Sequence, residues 1–360
     1  MGYKRAIRAA LGSAALGAVL LHGAARAQDA APTAAAVEAQ AKYTAVTPSQ
    51  PNPALTVHDI SGSSAHVLPT VSVHPAAVSA TDSGPLLYNG GPVMTSVTIY
   101  TIFWAPATLQ SGAAANMTPN YRTVLTRLAE DYVGHALDNN NTQYYQTVAS
   151  KTTYISGLPA SLAPAGTDAA PMIIDTDPYP ASACTDTVTP GNCISDAQLQ
   201  AEITSVMAAR GWSGGLDRIY VVYTAQGEGS CFTGSTQCAY TYYCAYHGYF
   251  TIGSTPVVYA NIPWGDTNYC QTSGTPSPNN DAPADTAATA AAHEITEAIT
   301  DPELDAWYTA QGNEIADLCA YDYGTNRFDG GKANQFWNGH YYEIQTVFDN
   351  VTGACAQIGP

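Results

Sequence analysis

An alanine-dense helix that also carries acids is the tightest constraint in this chain. From Ala284 to Thr300 the sequence reads ADTAATAAAHEITEAIT, and Pro302 halts it. Alanine at 287, 288 and 290–292 gives that helix a small face, which predicts close approach of neighbouring elements and burial. Residues four apart share a helix face, so His293 and Glu297 project together, and Asp301 continues the row if the helix reaches it. Glu294 sits about 100° round the axis. A buried imidazole with two carboxylates needs a cation or hydrogen-bond partners. The expectations are therefore a metal site first, a hydrogen-bonded structural cluster second and a solvated acidic face third.

Downstream, Asn313-Glu314-Ile315-Ala316-Asp317 adds a carboxylate pair at helical spacing, and Glu314 or Asp317 is the candidate third ligand. His247, on an expected strand just before the helix, is a candidate fourth ligand or substrate contact, against a structural reading. His135 and His340 are expected to be structural. An imidazole-carboxylate set suits one divalent ion, zinc first, with Mn²⁺ or Ca²⁺ more competitive than at an all-histidine site.

The N-terminus carries Lys4, Arg5 and Arg8, an apolar run through Leu21, and Ala25-Arg26-Ala27. That is the pattern of a signal peptide over residues 1–27 and implies a secreted chain. No segment approaches the ~20 apolar residues of a membrane span. The whole chain has a formal charge of −17; the leader holds four basic and no acidic residues, so without it the balance is −21. A field of that sign argues against nucleic acid and anionic membranes as partners. All eight cysteines lie between Cys184 and Cys355, which in an exported chain predicts disulfides. Short loops suggest Cys184–Cys193, a cluster among Cys231, Cys238, Cys244 and Cys270, and Cys319–Cys355 across the C-terminal region.

Residues 28–84 are rich in Ala, Pro, Ser, Thr and Val, and read as a low-complexity linker or a pro-segment removed on maturation. The folded domain is expected over 85–360. Strands are expected at Val97–Trp104, Pro171–Asp175, Arg218–Thr224, Tyr246–Ile252 and Pro256–Ile262. Helices are expected at Thr118–Leu137, Ser195–Arg210 (with Ser195 and Gln198 as a capping box) and Ala284–Thr300. The order β-α-β-α-β-β-β-α predicts an α/β fold, its mixed sheet ending in an antiparallel edge strand before the acid-bearing helix. An irregular, disulfide-stapled region, 302–360, follows, with a hairpin at Asn338-Gly339. The 24 tyrosines suit strands of such a protein, with a stacking cleft for glycan or peptide as the other reading.

Two resemblances follow from these motifs. HEITEAITD followed by NEIAD resembles the metal site of thermolysin-type gluzincins, where H-E-x-x-H is followed by a helix bearing N-E and an Asp. The likeness implies His293 as first ligand, Glu294 as general base and Glu314 as third ligand, with Asp317 only loosely matching the bracing carboxylate. Glu297 departs from that family. Over roughly Leu86 to Cys355, the segments YNGGPVMTSVTIYTIFW, IYVVYTAQGEGSC, CAYHGYF, HEITEAITDPELDAWY and EIADLCAYDYG are similar in order to the EXORDIUM / phosphate-induced protein family, extracellular proteins whose helix also looks like H-E-x-x-E. The expected fold is thus zincin-like. The expected function is a secreted metal-dependent peptidase acting on peptide or protein. The alternatives are an EXORDIUM-like binding or signalling protein with a structural metal, and a carbohydrate-active role.

Overall fold

The computed structural model describes residues 55–58, 64–73, 82, 84–156, 172–232, 236–270, 276–325 and 327–360. The expected signal peptide and most of segment 28–84 lie outside the described residues. In chain order, the main elements are β1 (Thr56–His58), β2 (Ser64–Pro69), β3 (Thr98–Trp104), α1 (Pro119–Tyr132), β4 (Met172–Asp175), α2 (Asp196–Arg210), β5 (Gly215–Thr224), β6 (Tyr243–Ile252), β7 (Thr255–Ile262) and α3 (Ala282–Thr300). Seven strands form one mixed sheet in the order β1-β2-β6-β7-β5-β3-β4. The pairs from β7 to β4 are parallel, while β6 meets both β7 and β2 antiparallel. The α/β class, the mixed sheet and the helices expected from Thr118, Ser195 and Ala284 are present.

Two expectations need correction. The antiparallel strand β6 is not an edge, because β2 and then β1 extend the sheet beyond it. Thr56–His58 and Ser64–Pro69, inside the stretch that reads as a linker, are therefore strands of the main sheet. The Ala-, Pro- and Ser-rich composition around them hid a six-residue strand in which five residues are buried. Further on, Asn313–Ala316 is not helical; a single 3₁₀ turn, Asp317–Cys319, follows it.

Local chemistry sets the helix ends. Thr118 Oγ1 accepts from the Tyr121 amide at the start of α1, and the helix stops where Gly134 takes φ 79°, short of the expected Leu137. Ser195 and Gln198 form the reciprocal capping box of α2, and Gly211 ends it in the left-handed region. Asn338 and Gly339, both at positive φ, turn the hairpin pairing Gln335–Trp337 with His340–Tyr342. All eight cysteines are paired: Cys184–Cys193, Cys231–Cys238, Cys244–Cys270 and Cys319–Cys355. Among the described residues no helix is long and apolar enough to cross a membrane.

α3 is buried from Ala284 to Thr300, with α1 on one side and strands β2, β6 and β7 on the other. Most of the tyrosines serve as packing; Tyr246 and Tyr259 hydroxyls donate to Asp196 Oδ1 at 2.8 and 2.6 Å. His135 stacks on Trp337 and His340 Nδ1 meets Asp131 Oδ2 at 2.6 Å, both in structural roles.

Gly265, just past β7, allows the loop to touch the first turn of α3: a Cβ there would collide with the Pro283 carbonyl oxygen and the Ala287 amide nitrogen. Neither backbone atom can yield without moving the helix, so Gly265→Ala should destabilise the fold by about 1–3 kcal/mol. Urea denaturation checks this; an unchanged midpoint would show that α3 is not held there.

Candidate metal centre

The row His293, Glu294, Glu297 on α3 meets three other elements. His66 from β2 lies directly across the strand pair from His247 of β6, so both imidazoles face the same side of the sheet. Glu314 and Asp317 arrive from the loop and 3₁₀ turn after α3. All seven side chains have 0% exposure. The alanine face is what permits this: without bulk at 287–292 the sheet approaches closely enough for β2 and β6 to place imidazoles against the helix acids.

Glu297, the residue that breaks the H-E-x-x-H pattern, is the hub. It belongs to three sets whose ligand atoms lie within 4.8 Å of one another: with His66 and Asp317, with His247 and Glu314, and with His293 and Glu294. Its Oε1 accepts from the Ala316 amide at 3.3 Å and lies 3.1 Å from His293 Nε2.

Each imidazole has one nitrogen engaged and one left over. His66 Nε2 donates to Asp317 Oδ2 at 2.8 Å, leaving Nδ1 3.4 Å from Glu314 Oε1. His247 Nδ1 donates to Glu294 Oε2 at 3.2 Å, leaving Nε2 3.6 Å from Glu314 Oε2. Glu294 Oε1 meanwhile accepts from the Leu68 amide of β2 at 3.1 Å. Carboxylates gripping the far nitrogen fix the tautomer that offers a lone pair to a metal. His293 differs. Gln345 accepts from the Tyr321 amide at 3.1 Å through Oε1, so its NH₂ faces His293 Nδ1 and the ring proton belongs on Nε2. Ligation by His293 therefore requires the Gln345 amide to turn over, whereas His66 Nδ1 and His247 Nε2 face no such donor.

Eight buried polar atoms here lack a hydrogen-bond partner: His66 Nδ1, His247 Nε2, His293 Nε2, Glu297 Oε2, Asp301 Oδ2, both Glu314 oxygens and Asp317 Oδ1. Buried polar groups are ordinarily satisfied, so these atoms are the ones in the cluster left to meet a cation or a shared proton. Burial, followed by neighbouring carboxylates, drives Glu294, Glu297 and Glu314 well above the ordinary carboxylate range. Burial also takes His247 well below the usual imidazole value and His293 to about 4. It opposes charge on His66 too, but the charge and hydrogen bond of Asp317 prevail and raise that ring. Asp301 has a mainly structural task, its Oδ1 accepting from Asp305 and Ala306 amides at 2.6 and 2.7 Å to hold the turn after α3.

Of the residues singled out from sequence, His247, His293, Glu294, Glu297, Glu314 and Asp317 converge. His66 and Gln345 were missed: His66 sits in the stretch read as a linker, and nothing in an isolated SAHVLP marks its histidine. Glu297 could share a divalent ion with His247 and Glu314 or with His66 and Asp317, two sets that have only Glu297 in common, while Glu294 orients His247 and Gln345 contacts His293.

No family model matches the chain, and no curated protein or solved structure matches it either.

One ion per chain is expected by mass spectrometry of purified protein loaded with Zn²⁺ or Mn²⁺. Glu297→Gln and His247→Ala should abolish it. A wild-type chain that rebinds no divalent ion would contradict the centre. The ion-free chain should also respond to pH. Burial raises Asp301 from 3.8 to about 8, so the fold holds a proton that the unfolded chain releases. Stability from that group is full below its unfolded value and lost as pH rises through about 8. Thermal unfolding should show that loss without metal and a smaller one with it; identical profiles would argue against coupling between Asp301 and the cluster.

Proposed function

We propose that the chain is an exported metal-dependent hydrolase, acting on extended peptides, whose centre is held closed by the β1–β2 hairpin. The observation that supports this most is the arrangement of His66 relative to the set His247, Glu297 and Glu314. Catalytic zinc sites keep three protein ligands and an open position, whereas structural sites use four. Here three donors come from the body of the fold and the fourth, His66, comes from a strand near the start of the described chain. Residues 55–73 would then be a pro-segment: while β2 is in place, His66 fills the open position.

β2 closes the site in a second way. Its Leu68 amide occupies Glu294 Oε1, the carboxylate oxygen nearest the role of general base. A divalent ion in the centre supplies Lewis acidity for hydrolysis of a carbonyl substrate. With the hairpin gone, Glu294 keeps His247 oriented through Oε2 and gains a free Oε1 to take a proton. The edge of β6 also becomes unpaired, offering backbone donors and acceptors to an extended peptide. The four disulfides suit the oxidising compartment that export implies. The zincin-like character, with a helix that would present Glu297 to a metal beside a sheet edge, belongs to this proposal.

Complete burial of the cluster favours a second reading, an extracellular binding protein with a structural four-ligand metal, as the EXORDIUM resemblance suggests. His66→Ala in the full chain, and a chain cut at a protease site placed between Val73 and Asp82, separate the two. The hydrolase reading predicts chelator-sensitive cleavage of a denatured protein by both, little by the intact wild type, and loss of turnover but not of ion in Glu294→Gln. Ion-loaded His66→Ala and cut chains that cleave nothing from neutral to alkaline pH would leave the structural reading standing.

A further inference from the structure

Three carboxylates meet far along the sheet from Glu297, at the C-terminal end of the edge strand β4. Asp175 closes that strand, Asp177 follows two residues later, and Glu202 projects from the second turn of α2. One oxygen from each lies within 4.8 Å of the other two. The turn bearing the first two is well fixed. The Asp177 amide donates to Asp175 Oδ1 at 3.0 Å, Trp104 Nε1 donates to the Asp177 carbonyl at 2.8 Å, and the Ala105 amide donates to the Asp175 carbonyl at 2.8 Å.

The geometry is unusual for a solvated acidic patch. Asp175 is only 7% exposed, yet its Oδ2 has no hydrogen-bond partner, and the buried Oε1 of Glu202 has none either. The Asp175 and Glu202 carboxyl groups face each other with a third carboxylate beside them, an arrangement that needs a proton or a cation between them.

We propose that Asp175, Asp177 and Glu202 form a Ca²⁺ site that ties the edge strand β4 to helix α2. The donor set is all oxygen, with no imidazole or thiolate, which selects a hard cation. Calcium accepts irregular arrangements of six to eight oxygens, whereas magnesium demands a near-ideal octahedron. A turn and a helix contributing three carboxylates, with the exposed Asp177 side open to water, match the former. With three protein carboxylates and a partly open face, the dissociation constant belongs to the extracellular class, about 0.1–1 mM. The competing explanation is one proton shared between Asp175 and Glu202; burial, then Asp175, pushes the Glu202 carboxyl up to about 8.

Terbium(III) luminescence separates these, because Trp104 is hydrogen-bonded to the Asp177 carbonyl and so lies close enough to sensitise a lanthanide held there. The wild-type chain should show tryptophan-sensitised emission that millimolar Ca²⁺ displaces and Mg²⁺ displaces poorly, with a Ca²⁺-dependent rise in Tm. Asp175→Asn, Glu202→Gln and Asp177→Asn should each weaken Tb³⁺ and Ca²⁺ on the order of tenfold or more. Asp177 is exposed, so its variant keeps the test decisive if Asp175→Asn folds poorly. Emission that persists in all three variants, or no Ca²⁺ response in emission or Tm, would overturn the site and leave the shared proton. Neither readout depends on hydrolysis, and the three variants, none of which touches the cluster around Glu297, separate the two sites.

Discussion

Everything in this fold is arranged around an electrostatic problem centred on Glu297. Its carboxylate, two more glutamates, an aspartate and three imidazoles are packed at 0% exposure, and several of their donor and acceptor atoms meet no protein partner. Taking ions out of water costs several kcal/mol each even after relaxation. Such a group persists if it keeps extra protons or holds a cation. A divalent ion would meet carboxylate oxygens and spare imidazole nitrogens at once, whereas protons would bridge them pair by pair, as between His66 and Glu314.

The alanine face of α3 is the structural means to that end. It removes the side-chain bulk that would separate the helix from β2 and β6, and Gly265 extends the same economy of space to the helix start. The disulfide Cys319–Cys355 then fixes the segment bearing Glu314 and Asp317 to the end of the chain. Imidazoles from the sheet, acids from the helix and acids from the following turn thus meet at fixed positions. The strand that brings His66 to the cluster, β2, lies between β1 and β6 in the sheet and is the element nearest the sheet's edge that contributes to it.

Much of the frame was legible in the sequence. Strand runs such as VTIYTIFW and RIYVVYT, the Ser195–Gln198 capping box, Gly211 and Asn338-Gly339 act locally, so local reading found them. The acids of α3 were legible because helical spacing puts them on one face. Two things were not. His66 depends on a strand pairing between residues 181 apart, and neither residue signals the other. The role of Glu294 depends on Leu68 and His247, which arrive from the sheet; sequence spacing could name it a base but not show it engaged. Asn313–Asp317 read as helical from its spacing, yet the loop follows the needs of the cluster and spends its Asp317 carboxylate on the Glu314 amide at 2.6 Å.

Anomalous diffraction at the metal edge, on crystals of the full chain loaded with Zn²⁺, tests the central claim most directly. The account predicts one strong peak within about 2.0–2.2 Å of His66 Nδ1, His247 Nε2 and oxygens of Glu297 and Glu314. It predicts no sulfur neighbour, since every cysteine is in a disulfide. A cluster that stays free of metal, its carboxylates bridged by protons or water, would contradict it.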